Sequence, residues 1–131
     1  MQNHTKANIY EGLASYFLPE GALDFFELTK FEVVPTKAKG VLYKTELHIY
    51  LDERDNRSDD MKEAVSNGFG AESKLLDFPT RDKKTVLHIR RRRWTMPDKT
   101  TRYADISEQY SMRFPNTRYA KSFALFLNGE D

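Results

Sequence analysis

The segment LLDFPTRDKKTVLHIRRRRW, residues 75–94, carries the strongest structural pattern in the chain. Two β-like pieces, residues 73–78 and 84–94, are separated by a short polar turn that contains Pro79, Arg81 and Asp82. Two such pieces joined by a short polar turn are typical of a β-hairpin. A further turn near Pro97 would lead to another short strand, which would leave the arginine-containing strand in the middle of a meander.

Outward from this hairpin, apolar periodicity predicts helices near both ends of the chain and strands between them. Helices are expected at 7–17, at 20–28, briefly at 60–66 and from Thr117 to about 127, and strands at 31–34, 43–51 and near 102–103. The pattern therefore predicts an α+β fold: N-terminal helices, an antiparallel sheet of about four or five strands, and a C-terminal helix. The strand order is left open.

Composition sets the class of protein. The chain has 131 residues, so we expect a single domain over 1–131, with residues 1–6 disordered. Aromatic residues make up 13% of the chain, which favours a folded protein. The absence of cysteine and the presence of only three histidines argue against a zinc site. No segment is apolar enough for a membrane span, so a cytoplasmic location is expected.

Acidic and basic residues are unevenly distributed along the chain, although the net charge is only +1. Residues 46–63 contain seven acids and three bases, a net of −4, whereas residues 74–103 contain ten bases and three acids, a net of +7. A basic stretch of this kind is a candidate binding surface for a polyanion.

Four consecutive arginines, Arg90 to Arg93, follow the apolar part of the hairpin and precede the single tryptophan, Trp94. Side chains alternate along a strand, so both faces become cationic beyond Ile89 and we expect this end to project into solvent. Guanidinium groups suit phosphates and guanine edges. The alternative is that these arginines pair with the acidic stretch 52–60 inside the same fold. For Trp94 we favour a core position over base stacking.

Other chemistry finds little support in the sequence. His48 and His88 occupy equivalent places in two Leu-His-Ile tripeptides and could face each other, although ordinary hydrogen-bonded surface histidines are favoured over a metal pair. The acids of residues 52–60 lack the EF-hand pattern. No phosphate-binding glycine loop, nucleophile elbow or His-Glu-x-x-His motif is present. We expect no catalytic residue, no metal, no cofactor and no small-molecule substrate.

Three segments taken together resemble the N-terminal, non-catalytic region of bacterial insertion-sequence transposases. They are FLPEGALDFFELTKFEV (17–33), ELHIYLDERD (46–55) and LLDFPTRDKKTVLHIRRRRW (75–94). The match spans about residues 10–127, and its most specific part combines Asp77-Phe78-Pro79 with the arginine run. A more distant likeness is to the zinc-binding N-terminal domain of transposases with a DDE core, but this chain lacks the cysteines, so zinc is not implied.

The resemblance implies a DNA-binding accessory or N-terminal region that recognises the terminal repeats of the element, with the catalytic DDE domain elsewhere. The chain is then expected to be an isolated or truncated module that is not an enzyme and is associated with the nucleoid when bound. The nucleic-acid-binding residues predicted are Lys83, Lys84, Arg90, Arg91, Arg92, Arg93, Trp94, Lys99 and Arg102. The alternative is a protein-interaction module whose basic strand docks onto an acidic partner, such as a catalytic transposase subunit.

Overall fold

Short helices flank two β-sheets in the computed structural model, which describes residues 2–37, 39–40, 42–111 and 119–128. The helices are α1 (Gln2–Ser15), α2 (Ala22–Phe25) and α3 (Lys121–Leu127), and one 3-10 turn spans Asp59–Met61. The strands are β1 (Phe26–Pro35), β2 (Thr45–Glu53), β3 (Val65–Phe69), β4 (Ser73–Thr80), β5 (Lys83–Arg90), β6 (Arg92–Thr95) and β7 (Thr101–Arg102). The predicted α+β class is confirmed.

The strands form a four-stranded sheet in the order β1-β2-β5-β4 and a three-stranded sheet in the order β3-β6-β7. The predicted hairpin is the β4–β5 pair, which closes at Thr80 opposite Lys83. The larger sheet is mixed, not antiparallel throughout, because β2 and β5 run parallel from Thr45 opposite Lys83 to Asp52 opposite Arg90. The intervening chain returns to the end of the sheet where β2 began, and it contributes β3 to the second sheet.

All four helix predictions differ from the structure at their boundaries. The helix expected at 7–17 is α1, which spans Gln2–Ser15. The helix expected at 20–28 is only α2, because the backbone becomes extended at Phe26, where β1 begins. The helix expected at 60–66 is a single 3-10 turn followed by β3 from Val65. The C-terminal helix begins at Lys121, and its expected cap, Thr117, lies outside the described residues.

The core is centred on β5, whose residues Thr85 to Ile89 are all buried. Five consecutive buried residues require cover on both faces of the strand. Leu51, Leu75 and Leu87 are almost fully buried where β2, β4 and β5 meet. Within the described residues, no helix is long and apolar enough to span a membrane. The single-domain organisation and the disorder of residues 1–6 stay predictions.

Candidate nucleic-acid interface

The arginine run is bonded to acidic side chains of the same protein. Arg90 donates two hydrogen bonds to the Asp52 carboxylate, at 2.7 and 2.6 Å, and this contact raises the pKa of Arg90. In the second sheet, Arg102 lies 3.3 Å from an oxygen of Asp60. Pairing of the arginines with the acidic stretch, the alternative to DNA contact in the sequence analysis, is confirmed for these residues.

Glu53 is the main acceptor at this end of the protein, which we call the arginine end (residues 52–60 and 90–93). Its side chain is 0% exposed and accepts two hydrogen bonds from Arg91, at 2.8 and 3.2 Å. It also accepts the backbone N–H of Arg92 and the amide of Asn56, both at 2.9 Å. The second nitrogen of Arg91 donates further to the carbonyl of Ala104. Four hydrogen bonds therefore satisfy this buried carboxylate at the point where β5 ends and β6 of the second sheet begins.

The other two arginines of the run are half-buried and also bond to groups of the same protein. Arg92 donates to the carbonyl of Glu53 at 3.2 Å and lies over the Phe69 ring, and Arg93 donates to the carbonyl of Asn67 at 3.1 Å. Trp94 is 4% exposed and has the Arg57 guanidinium 4.4 Å from its ring centre. The favoured core position for Trp94 is confirmed, and its ring is not accessible to a nucleotide base in this conformation.

A second cationic region lies at the opposite end of the larger sheet. Pro35 pairs with Thr45 and Thr45 pairs with Lys83, so the β1–β2 loop and the β4–β5 turn lie side by side. We call residues 36–46 and 80–84 the lysine end. They contain six bases and two acids, a net charge of +4. The bases are Lys37, Lys39, Lys44, Arg81, Lys83 and Lys84.

These cations are mostly unpaired. Lys83 lies 3.0 Å from Asp82, whereas the other five bases have no carboxylate partner within the part of the chain that the structure describes. All five are exposed to solvent. The lysine end therefore keeps its positive charge available, and the arginine end does not.

Arg81 occupies the tip of the β4–β5 turn with a φ of 61°, in the left-handed region that favours glycine. Such a conformation costs an ordinary residue about 1–2 kcal/mol. Strain at an exposed, unpaired cation is compatible with a role in binding, since strained residues concentrate at functional sites.

The predicted binding residues are therefore split among three regions. Arg90 to Arg93 belong to the arginine end, and Trp94 lies in β6 of the second sheet. Lys83 and Lys84 belong to the lysine end, whereas Lys99 and Arg102 lie on the second sheet and its β6–β7 turn. Lys37, Lys39 and Lys44 were missed by the sequence analysis because they are about 40 residues from Lys84 along the chain. Only the parallel pairing of β2 with β5 brings these groups together, and the KAKG loop gave no local pattern beyond its two lysines.

The two histidines form a polar chain on one face of the larger sheet. His48 Nδ1 lies 2.6 Å from His88 Nε2, His48 Nε2 lies 2.9 Å from Glu46, and His88 Nδ1 contacts Glu72. Burial lowers the pKa of His88, and the Glu72 carboxylate opposes that shift. Among the described residues, no group of three or more potential ligands could hold a metal ion. The histidines are hydrogen-bonded, as expected from the sequence, but the expected surface position is wrong for His88, which is 5% exposed.

The architecture is thus a small α+β fold with one internally paired and one unpaired cationic end. No protein-family model matches the chain, and no curated protein or solved structure is significantly similar to it. The resemblance to transposase N-terminal regions consequently rests on the sequence motifs alone.

Proposed function

We propose that this chain binds double-stranded DNA as an accessory or N-terminal region of an insertion-sequence transposase, without catalysing strand transfer. The observation that supports DNA binding is the lysine end, where five exposed bases lack a carboxylate partner among the described residues. The motifs around Asp77 and the arginine run support the assignment to a transposase. The catalytic DDE domain would lie elsewhere, and a bacterial cytoplasmic, nucleoid-associated location follows from the same proposal.

The chemistry of the lysine end suits phosphate contacts more than base recognition. Lysine ammonium groups are compact point charges on flexible stems, and such contacts position a protein on DNA without reading its sequence. Arg81 at the turn tip adds one planar guanidinium that can bind a phosphate through two hydrogen bonds. Recognition of the terminal repeats would then need further contacts, for which Arg93 and Lys99, neither paired with an acid in the described part of the chain, are the best placed of the predicted residues.

The arginines paired with Asp52 and Glu53 have a different proposed role. To contact DNA, each would have to give up two hydrogen bonds to a carboxylate. Charge-assisted pairs of this geometry are strong when partly buried. We therefore assign Arg90 and Arg91 to holding the fold, while the lysine end contacts the phosphates.

The test is fluorescence-anisotropy binding of the full chain to labelled duplexes, one carrying the inverted repeat of the flanking element and one scrambled, each over a salt series. Double substitution K44Q/K84Q should weaken binding roughly tenfold and reduce the slope of log K against log salt by about 2, because two phosphate contacts are lost. The matched variant K62Q/K74Q removes the same charge from two exposed lysines outside the lysine end. This variant should bind the duplexes with an affinity within about twofold of the wild type.

The outcomes separate the alternatives. Equal effects of both double variants would mean that overall charge, not the lysine end, governs binding. A wild-type chain that binds no duplex at low salt would refute DNA binding and favour the protein-interaction alternative. In that alternative the basic strand could not add to a partner by edge pairing, because β5 and β6 each have a neighbouring strand on both sides.

A further inference from the structure

Strand β1 is an edge strand with an unusually apolar exposed surface. It pairs only with β2, and no other described strand borders its outer edge. Phe31 is 68% exposed and Val33 is 51% exposed on one face of this strand. Proteins normally protect long edge strands with charges, bulges or cover, because an open edge pairs with other chains.

The protection of β1 is incomplete. A register shift between Leu28 and Lys30 distorts one half of the strand, and Pro35 ends the other. Between them, Lys30 and Glu32 supply one charge of each sign on the face opposite Phe31. Lys30 Nζ and Glu32 are 4.0 Å apart, and each also contacts Tyr50, through the ring for Lys30 and the hydroxyl for Glu32. Their side chains are still 59% and 42% exposed, so both charges are accessible to another partner.

The order of Lys30 and Glu32 along β1 is complementary to a second, antiparallel copy of the same strand. In an antiparallel pair of two identical strands related by a two-fold axis normal to the sheet, placing Phe31 opposite its own copy sets Lys30 opposite Glu32 of the second chain. The same contact repeats on the other side of the axis. Moving the axis to Glu32 would set two glutamates against each other, which is unfavourable. The charge pattern of β1 is therefore complementary to itself at one register.

The apolar face of β1, which carries Phe31, is also suited to this antiparallel pairing. An apolar groove of about 470 Å³ lies beside β1, between the strand and α1, and its lining includes Tyr10, Phe17 and Phe31. Pairing across the axis would bring the two exposed Phe31 rings together beside the two grooves. Cross-strand aromatic pairs stabilise antiparallel sheets.

We propose that β1 is a homodimerisation edge, through which two copies of this chain join their four-stranded sheets into one, with Phe31 on the two-fold axis and Lys30 opposite Glu32 twice. This inference does not depend on DNA binding.

Sedimentation equilibrium of the full chain tests the proposal. The wild type should dimerise, and K30E and E32K should each weaken the dimer at least tenfold, because each creates two like-charge contacts per dimer. The double exchange K30E/E32K restores opposite charges across the axis and should return the dissociation constant to within about threefold of the wild type. Glu27→Lys, outside the charged pairs, is the control and should have little effect.

The double exchange also separates dimerisation from local structure. Glu32 accepts a hydrogen bond from the Tyr50 hydroxyl at 2.8 Å, which a lysine at this position cannot accept. A purely structural role of Glu32 would therefore leave the double variant as impaired as E32K. That result would overturn the proposal. A wild-type chain that stays monomeric up to about 1 mM, well above the dissociation constants of specific dimers, would also overturn it.

Discussion

At the scale of single residues, the buried carboxylate of Asp77 lowers the stability of the folded protein at neutral pH. The residue is 9% exposed, and its carboxylate accepts the backbone N–H of Phe78 at 2.8 Å. Burial raises the pKa of Asp77 above its ordinary value, and the hydrogen bond from Phe78 opposes the shift only in part. The Tyr110 hydroxyl is buried without a hydrogen-bond partner among the described residues. Burial and the charge of Asp77 both raise the pKa of Tyr110.

Asp77→Asn should stabilise the protein at neutral pH. The pKa of Asp77 is higher in the folded protein than in the unfolded chain, so the protonated carboxyl contributes stability that is complete below the unfolded-state pKa. This contribution is lost as the pH rises through the folded-state pKa. At pH 7 the wild type therefore holds an ionised carboxylate in an unfavourable site. The asparagine oxygen can still accept the Phe78 N–H, so the free energy of unfolding at pH 7 should rise by about 1 kcal/mol. Urea unfolding between pH 3.5 and 7 should show this gain shrinking as the pH falls.

Asp105→Asn provides a control of opposite sign. Hydrogen bonds from Ser107 lower the pKa of Asp105, so its contribution to stability is present at neutral pH and is lost in acid. Its substitution should reduce stability at pH 7. If the gain from Asp77→Asn were the same at every pH, burial of the charge would not be its cause.

At the scale of elements, the Leu18-Pro19-Glu20-Gly21 segment directs the chain from α1 into α2. Gly21 has a φ of 83° immediately before α2, and the amide of Asp24 donates to its carbonyl at 3.1 Å. Tyr110 closes over this turn and stacks on Phe25 with ring centres 5.0 Å apart. A Cβ at Gly21 would lie 3.3 Å from the Tyr110 ring. The glycine is therefore required by backbone conformation and by packing.

Gly21→Ala should lower the free energy of unfolding by about 1–2 kcal/mol, because alanine is strained in the left-handed region. Gly12→Ala is the matched control, since Gly12 lies within α1 and a Cβ there would meet nothing within 4 Å. It should stabilise the helix by roughly 0.5–1 kcal/mol. Thermal unfolding of both variants measures the difference. Equal changes in melting temperature would contradict the conformational role of Gly21.

Elements with local patterns were predictable from the sequence, and long-range pairings were not. The β4–β5 hairpin and the alternation of Leu47, Ile49 and Leu51 in β2 follow from neighbouring residues. The parallel β2–β5 pairing joins strands that are more than 30 residues apart, and no sequence pattern within either strand indicates this pairing. The helix expected after Glu20 stopped early because Phe26 and Leu28 are needed on the inner face of β1, where tertiary packing overrides helix propensity.

At the scale of the whole molecule, the charge asymmetry seen in the sequence is divided between two ends. The acids of residues 52–60 neutralise much of the arginine run, and the lysine end keeps its charge. Both the basic stretch and the acidic stretch that could neutralise it are evident in the sequence. Whether the arginines face solvent or pair with acids cannot be predicted from the sequence, because the outcome depends on Asp52 and Arg90 lying side by side on neighbouring strands.

The arginine end is also the junction between the two sheets, and Glu53 holds it. Glu53 ends β2 in the first sheet and accepts the N–H of Arg92, the first residue of β6 in the second. Glu53→Gln removes the charge that Arg91 faces and replaces one acceptor oxygen with a donor. Breaking a buried ion pair costs roughly 3–5 kcal/mol. Because the Arg91 side chain is 37% exposed to solvent, we expect a smaller loss, about 2–3 kcal/mol.

The loss should be localised as well as global. Hydrogen exchange measured by mass spectrometry should show reduced protection first in residues 92–95 and 65–69, because the second sheet depends on the Glu53 contacts more than the β4–β5 hairpin does. Asp59→Asn, an exposed acid without an ion pair among the described residues, is the control and should change stability by less than about 0.5 kcal/mol. Uniform loss of protection in both sheets would mean that they unfold as one unit, and Glu53 would then stabilise the whole fold without specifically joining its two parts.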